Sequence, residues 1–132
     1  RGHLPKMNGL LLDTHVAIWW FEESARLSHD VRVTIEEGTF DVFVSAATAW
    51  EIVIKSAKGH LKTPDDFEET AVDAGFRFLS MTVPHALAIR DLERHHNDPF
   101  DRMLVAQARV EGLTLVTNDP WIQRYDVSVM AA

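Results

Sequence analysis

The 132-residue sequence predicts an α/β fold built on a parallel sheet with helices on both faces. Three observations carry that expectation. Short apolar runs alternate with segments of helical periodicity along the chain. Capping residues and glycines punctuate those segments where helices should start and stop. No repeat, low-complexity tract or linker interrupts the alternation, so residues 7–132 read as a single domain. Arg1 to Lys6 carry no pattern; Met7 is taken as the natural start and the residues before it as an added remnant.

Gly9 to Leu12 is a continuous apolar run ending in Asp13 and reads as a buried strand. Thr14 to Phe21 has helical character, with Trp19, Trp20 and Phe21 at its end. Ser28 is an N-cap for a helix through Glu37, closed by Gly38. Val42 to Val44 is the second strand, and Ser45 caps a helix from Ala46 to Lys58 that Gly59 ends. In that helix Trp50, Val53, Ile54 and Ala57 fall at helical spacing and predict the core stripe.

Pro64 opens a further helix, Asp65 to Ala74, whose acidic first turn suits the helix dipole. Phe76 to Met81 is the third strand, and Pro84 starts a helix to about Glu93. After a polar loop, Pro99 to Val110 is apolar nearly all round and predicts a central buried helix closed by Gly112. Thr114 to Thr117 is the fourth strand, Pro120 to Arg124 a short helix, and Val127 to Met130 the last strand. Crossovers between such strands are right-handed, but strand order does not follow from the pattern.

Composition narrows the function classes. Hydrophobic residues make up 46% and charged residues 25%, as expected for a globular domain. Cysteine is absent, which excludes disulfides and Cys-type zinc sites and fits a reducing cytoplasm. No apolar run approaches the roughly 18 residues of a membrane span, and no basic, apolar, small-residue signal pattern is present. The formal net charge of -7 disfavours a phosphate-binding surface, unless several of those charges are metal ligands. An acidic domain also suits a basic protein partner.

The residues that carry chemistry are acidic. Asp13, Asp101 and Asp119 follow apolar runs where strands give way to helices, and Glu51 lies two turns into the helix after another run. In parallel sheets these turns meet at the carboxyl edge, where ligands collect. Taken singly, each aspartate is accounted for by capping: Asp98-Pro99 and Asp119-Pro120 are N-cap and first-turn proline pairs. Glu51 breaks that account, being too far into its helix to cap, although an i, i+4 surface pair with Lys55 is open to it. Converging carboxylates need a cation. Magnesium and manganese prefer oxygen ligands, and two ions about 3.5–4 Å apart can activate water and stabilise the leaving oxygen of a phosphodiester.

Four segments together resemble the PIN-domain ribonucleases, specifically the VapC-like toxins of bacterial type II toxin–antitoxin pairs. They are Leu11-Leu12-Asp13-Thr14-His15, Ser45 to Lys55 with Trp50-Glu51-Ile52, His96 to Arg102, and Val116 to Pro120. The segments run in the family's order, and the His96–Arg102 stretch is the most specific. Residue by residue, the resemblance places Asp13, Glu51, Asp101 and Asp119 at the family's four acid positions. It implies a doubly wound sheet of five parallel strands and RNA cleavage dependent on Mg2+ or Mn2+. It also implies a homodimer and a cognate antitoxin that presses a segment into the acidic groove.

Other residues stay open to two readings. Asp98 is a supporting acid or simply an N-cap. Thr14 and Thr117 hold ligand or water, or serve their turns. Arg102 meets phosphate or a carboxylate; Lys55 does likewise or is solvated. His15, His95 and His96 match no zinc spacing. Trp19, Trp20 and Phe21 pack in the core or a dimer interface, with base stacking as the other role. Beyond the toxin, the same pattern admits a nuclease of RNA processing, a phosphatase using Asp13 as nucleophile, or a non-catalytic receiver-like module. The phosphatase reading wants a second acid two residues on, where His15 stands.

Overall fold

The computed structural model describes residues 9–59, 66–95 and 97–132. Met7, Pro64, Asp65 and His96 lie outside these residues. Strands β1 (Leu10–Leu12), β2 (Val42–Ser45), β3 (Arg77–Leu79), β4 (Thr114–Thr117) and β5 (Val129–Ala131) form one sheet in the order β3-β2-β1-β4-β5. Every pairing is parallel. β1 is central, with Leu11 opposite Phe43 on one side and Leu115 on the other. The parallel sheet with helices on both faces is what the alternation predicts, and its doubly wound order is what the family resemblance implies.

The helices are α1 (Thr14–Phe21), α2 (His29–Glu36), α3 (Ala46–Ala57), α4 (Phe67–Asp73), α5 (Val83–Ala88) and α6 (Pro99–Glu111). Why β1 is a continuous apolar run follows from its position. Side chains alternate between faces, and both faces are covered. Leu10 and Leu12 join the cluster beneath α1, α2 and α4, with Val16, Val31 and Ala71. Leu11 joins the opposite cluster, with Ala47 of α3 and Leu104, Val105 and Ala108 of α6. Full burial of one such leucine contributes about 1.5–3 kcal/mol, and an aspartate at Leu11 would break both the packing and the sheet centre.

Two glycines are required by geometry. A Cβ on Gly9 would lie 2.6 Å from Leu113 and 2.9 Å from the Phe43 ring, so β1 can approach its neighbours only with glycine there. Gly112 ends α6 at φ +69°, in the left-handed region.

Several expectations need correction. The buried face of α3 is Ala47, Thr48, Glu51 and Ile52, while Trp50 and Val53 are 55% and 60% exposed. The apolar residues at helical spacing therefore mark an outward face, and the inward face carries polar groups. The third strand spans only Arg77–Leu79, because it is an edge strand with exposed side chains. The helix from Pro84 stops at Ala88 and tightens into a 3-10 turn, Ile89–Asp91. The expected Pro120–Arg124 helix is likewise a 3-10 turn, Ile122–Arg124.

A buried polar network ties α5 to α6 across the sheet edge. His85 is fully buried; one ring nitrogen lies 2.7 Å from Glu111 and the other accepts the Thr82 N–H at 3.1 Å. Gln107 accepts from Ser45 at 2.6 Å and donates to the Ser80 carbonyl at 3.3 Å. Among the described residues no helix is long and apolar enough to cross a membrane.

Candidate functional site

The strand order reverses direction at β1, whose neighbours are β2 and β4, so the crevice over the carboxyl ends of β1 and β4 is the switch point of the sheet. A cleft of about 190 Å³ opens there. Its walls are Asp13, Thr14, His15, Glu51, Lys55, Asp98, Asp101 and Asp119. The four acids singled out in the sequence thus share one cleft, together with Asp98.

Each acid is placed by a local device. Asp13 follows β1 and caps α1, its Oδ1 accepting the Val16 N–H at 2.8 Å. Its Oδ2 accepts a short hydrogen bond from the Thr117 hydroxyl at the end of β4. The Thr117 oxygen in turn accepts the Asp119 N–H at 3.0 Å, so one threonine links two acids from adjacent strand ends. Asp119 Oδ1 accepts the Trp121 N–H at 2.8 Å. Asp98 caps α6, accepting the N–H groups of Phe100 and Asp101 at 2.8 and 3.1 Å, which sets Asp101 in the first turn.

Glu51 reaches the cleft from inside α3 and is buried. Thr14 donates to Glu51 Oε1 at 2.6 Å, and Lys55 Nζ lies 2.5 Å from Oε2. Thr14 has one proton and gives it to Glu51, so Thr48, 3.2 Å away, donates to Thr14. Thr14 and Thr117 each donate to an acid of the cleft. Lys55 is not the solvated lysine that is the default for its position; it is an arm of the cleft.

The electrostatics follow from this crowding. Burial pushes the Asp13 carboxyl above the usual carboxylate range; the Thr117 hydroxyl, the Val16 N–H and His15 oppose the rise, and the charge of Asp119 adds to it. Partial burial works against the Lys55 ammonium. The hydrogen bond and charge of Glu51, with the charges of Asp98 and Asp101 behind them, outweigh it and hold that lysine above its usual value.

The remaining candidates sort clearly. Arg102 donates to the Glu93 and Ile89 carbonyls at 3.0 and 3.4 Å and to Tyr125 at 3.2 Å. His15 lines the cleft, whereas His95 packs against the Tyr125 ring at 5.0 Å. Trp20 and Phe21 pack on Phe76 and Phe67, so their role is the core. Trp19 packs on the same core and also faces a neighbouring cleft.

Among the described residues no three acid or histidine side chains are preassembled as a coordination cluster. The donor chemistry nevertheless fits a hard divalent ion. The cleft offers five carboxylates and no thiolate, and it buries an aspartate whose ionisation its surroundings oppose.

A parallel five-stranded sheet with carboxylates gathered over its switch point defines an α/β protein with an acidic cleft at its carboxyl edge. The chain belongs to the PIN domain family, whose model matches residues 10–128. It is similar in fold to VapBC2 from Rickettsia felis bound to a promoter DNA fragment, with a TM-score of 0.70 at 12% identity, over 93% of this chain and 98% of that one. It is also similar to FitAcB from Neisseria gonorrhoeae (TM-score 0.64, 24% identity, 92% and 96% covered). A toxin–antitoxin complex from Klebsiella pneumoniae gives a TM-score of 0.63 at 18% identity, over 92% and 96% of the two chains. No curated protein matches the chain in sequence.

Proposed function

We propose that this protein is a metal-dependent endoribonuclease acting as the toxin of a toxin–antitoxin pair. One observation carries the reading: the shared cleft that brings Asp13, Glu51, Asp101 and Asp119 together from four separate points of the chain. Those four would hold Mg2+ or Mn2+. When bound, such an ion lowers the pKa of water and offsets charge developing on a phosphoryl group.

The chain's own groups set the stage for that chemistry. Thr117 and the Val16 N–H fix both oxygens of Asp13. Thr14 and Lys55 fix both oxygens of Glu51. Asp98 fixes the start of α6 and with it Asp101. The proton leaving the attacking water goes to one of the cleft carboxylates. Lys55, the one ammonium among the described residues that line the cleft, favours the approach of a phosphate that the acids alone would repel.

The toxin assignment extends the family membership and the Klebsiella pneumoniae complex, whose name pairs a toxin with an antitoxin. A cognate antitoxin is accordingly the expected protein partner, and a second copy of the chain the expected homodimer partner. The test is a purified cleavage assay on single-stranded RNA with Mg2+, Mn2+ and chelator, run beside expression of the chain with and without the small protein encoded next to it. RNA cut only with metal, and growth arrest relieved by the neighbour, is the expected result. Equal RNA integrity in all three buffers would contradict the nuclease reading.

A further inference from the structure

We propose that the cleft next to the acidic pocket is a nucleotide subsite, where the Trp121 ring stacks on a base of single-stranded RNA and Arg26 meets an adjoining phosphate. The inference rests on the ribonuclease reading, since it names how that substrate would be held.

The cleft measures about 510 Å³, within the range of roughly 300–1,000 Å³ typical of small-molecule sites. It shares Asp13, His15 and Asp119 with the acidic pocket, so a strand lying in one continues into the other. Its far walls differ in kind from the pocket, carrying Trp121, Trp19 and Arg26. Trp121 is 48% exposed, an unusual position for a large aromatic side chain that faces a cleft. The Arg124 guanidinium lies 5.1 Å from the Trp121 ring centroid, which steadies the ring and brings positive charge to it. The Trp121 backbone N–H donates to the Asp119 carboxylate at 2.8 Å, so the ring springs from main chain anchored to one of the acids. His15 and Trp19 add a second flat surface, with ring centroids 6.3 Å apart and planes 30° apart.

Aromatic faces beside guanidinium groups are the parts list of a single-strand binding site. Stacking tolerates any base, and the arginine tracks the backbone. On a chain of net charge -7, exposed arginines beside the acidic pocket supply local attraction that the surface as a whole lacks. A peptide segment of a protein partner is the other class of occupant. The continuity of the cleft with the carboxylates that would face a scissile phosphate favours RNA.

The test compares wild type, Trp121→Ala, Trp121→Phe and Arg26→Gln in steady-state cleavage of a single-stranded RNA 10-mer and of the same 10-mer carrying abasic positions. Trp121→Ala is expected to raise KM at least about fivefold, the low end of base stacking, with kcat within about twofold. Trp121→Phe should retain near-wild-type KM. Wild type should lose the same factor on the abasic substrate, and Trp121→Ala should lose nothing further. Arg26→Gln should weaken the salt dependence of KM by about one phosphate contact. An unchanged KM for Trp121→Ala, with wild type cutting RNA normally, would overturn the subsite while leaving the ribonuclease reading intact. Unchanged RNA kinetics with weakened antitoxin binding would assign the surface to a protein instead. A wild type that cuts no RNA would remove both readings.

Discussion

Lys55 Nζ lies 2.5 Å from Glu51 Oε2, one helical turn away on α3, and the glutamate of this pair is buried while the lysine is partly exposed. The ammonium is thus the positive charge that the buried carboxylate has beside it. Replacing Lys55 by methionine leaves Glu51 with the Thr14 hydroxyl and, among the described residues, no adjacent cation. Because the cleft is open and the lysine meets solvent, the expected stability loss is about 1–2 kcal/mol rather than that of a sealed pair. Magnesium should then raise the Tm of Lys55→Met more than that of wild type, since an ion would replace the lost charge. Thermal melts with and without Mg2+ check this; equal shifts for both proteins would contradict it.

Asp13 predicts a pH dependence in the absence of metal. Its folded pKa is raised above the ordinary value of 3.8, burial being the main cause. Between the unfolded and folded pKa values the native state binds more protons than the unfolded chain. Stability therefore falls as pH rises through that window, and the deficit is complete above the raised pKa. In chelator-containing buffer, the Tm of wild type should decline relative to Asp13→Asn as pH is raised above the ordinary carboxylate value of 3.8. Parallel curves for the two proteins would show that the carboxyl carries no such penalty.

His85 is predicted to be structural. Its ring is fully buried between Thr82 and Glu111, outside the acidic cleft. His85→Ala leaves a cavity and unpaired polar groups, costing about 2–4 kcal/mol. For a domain of this size each kcal/mol lowers Tm by roughly 3–5 °C. RNA cleavage per folded molecule at 25 °C should not change. A large fall in cleavage at unchanged Tm would move His85 into the chemistry.

The outward position of Trp50 gives a direct check on the α3 assignment. The ring is more than half exposed and meets Phe100 edge-on at 5.0 Å. Trp50→Ala should cost at most about 1.5 kcal/mol, the worth of an aromatic pair. A core tryptophan would cost about 3–5 kcal/mol. Urea unfolding of the variant distinguishes the two values.

Much of the fold was legible because the local signals agree with the tertiary structure. Ser28, Ser45 and Asp98 cap their helices as their side chains suggest, and β1 shows as an apolar run because both its faces are buried. The misreadings have a common physical source. Apolar periodicity picked Trp50 and Val53 as the inner face of α3, but that helix turns Thr48 and Glu51 inward to serve the cleft. The edge strand β3 and the 3-10 turns depend on packing at the margins of the sheet, where periodicity is weak. Strand order is a long-range property with no local signal.

The site was legible to a different degree. Glu51 stood out because capping could not explain it, and Asp13 and Asp119 by their place after β1 and β4; Asp101, expected at a strand-to-helix turn, instead sits in the first turn of α6 behind α5 and a loop. The i, i+4 spacing offered the Glu51–Lys55 pair that the structure forms; that the pair lies in the cleft was not legible, since the same spacing serves a solvated face. Nor was the bracing by Thr14 and Thr117, whose partners are 37 and 104 residues away.

The proposed function requires that these carboxylates form one metal-dependent centre for RNA cleavage. The most direct measurement is the cleavage rate of a single-stranded RNA in metal-controlled buffer for wild type, Asp13→Asn and Asp101→Asn, with folding of each verified by its melt. Wild type is expected to cut only with metal and both folded variants to lose at least about 100-fold, the scale of removing a group that stabilises the transition state. Cutting by either variant at the wild-type rate, or by wild type in excess chelator, would contradict it.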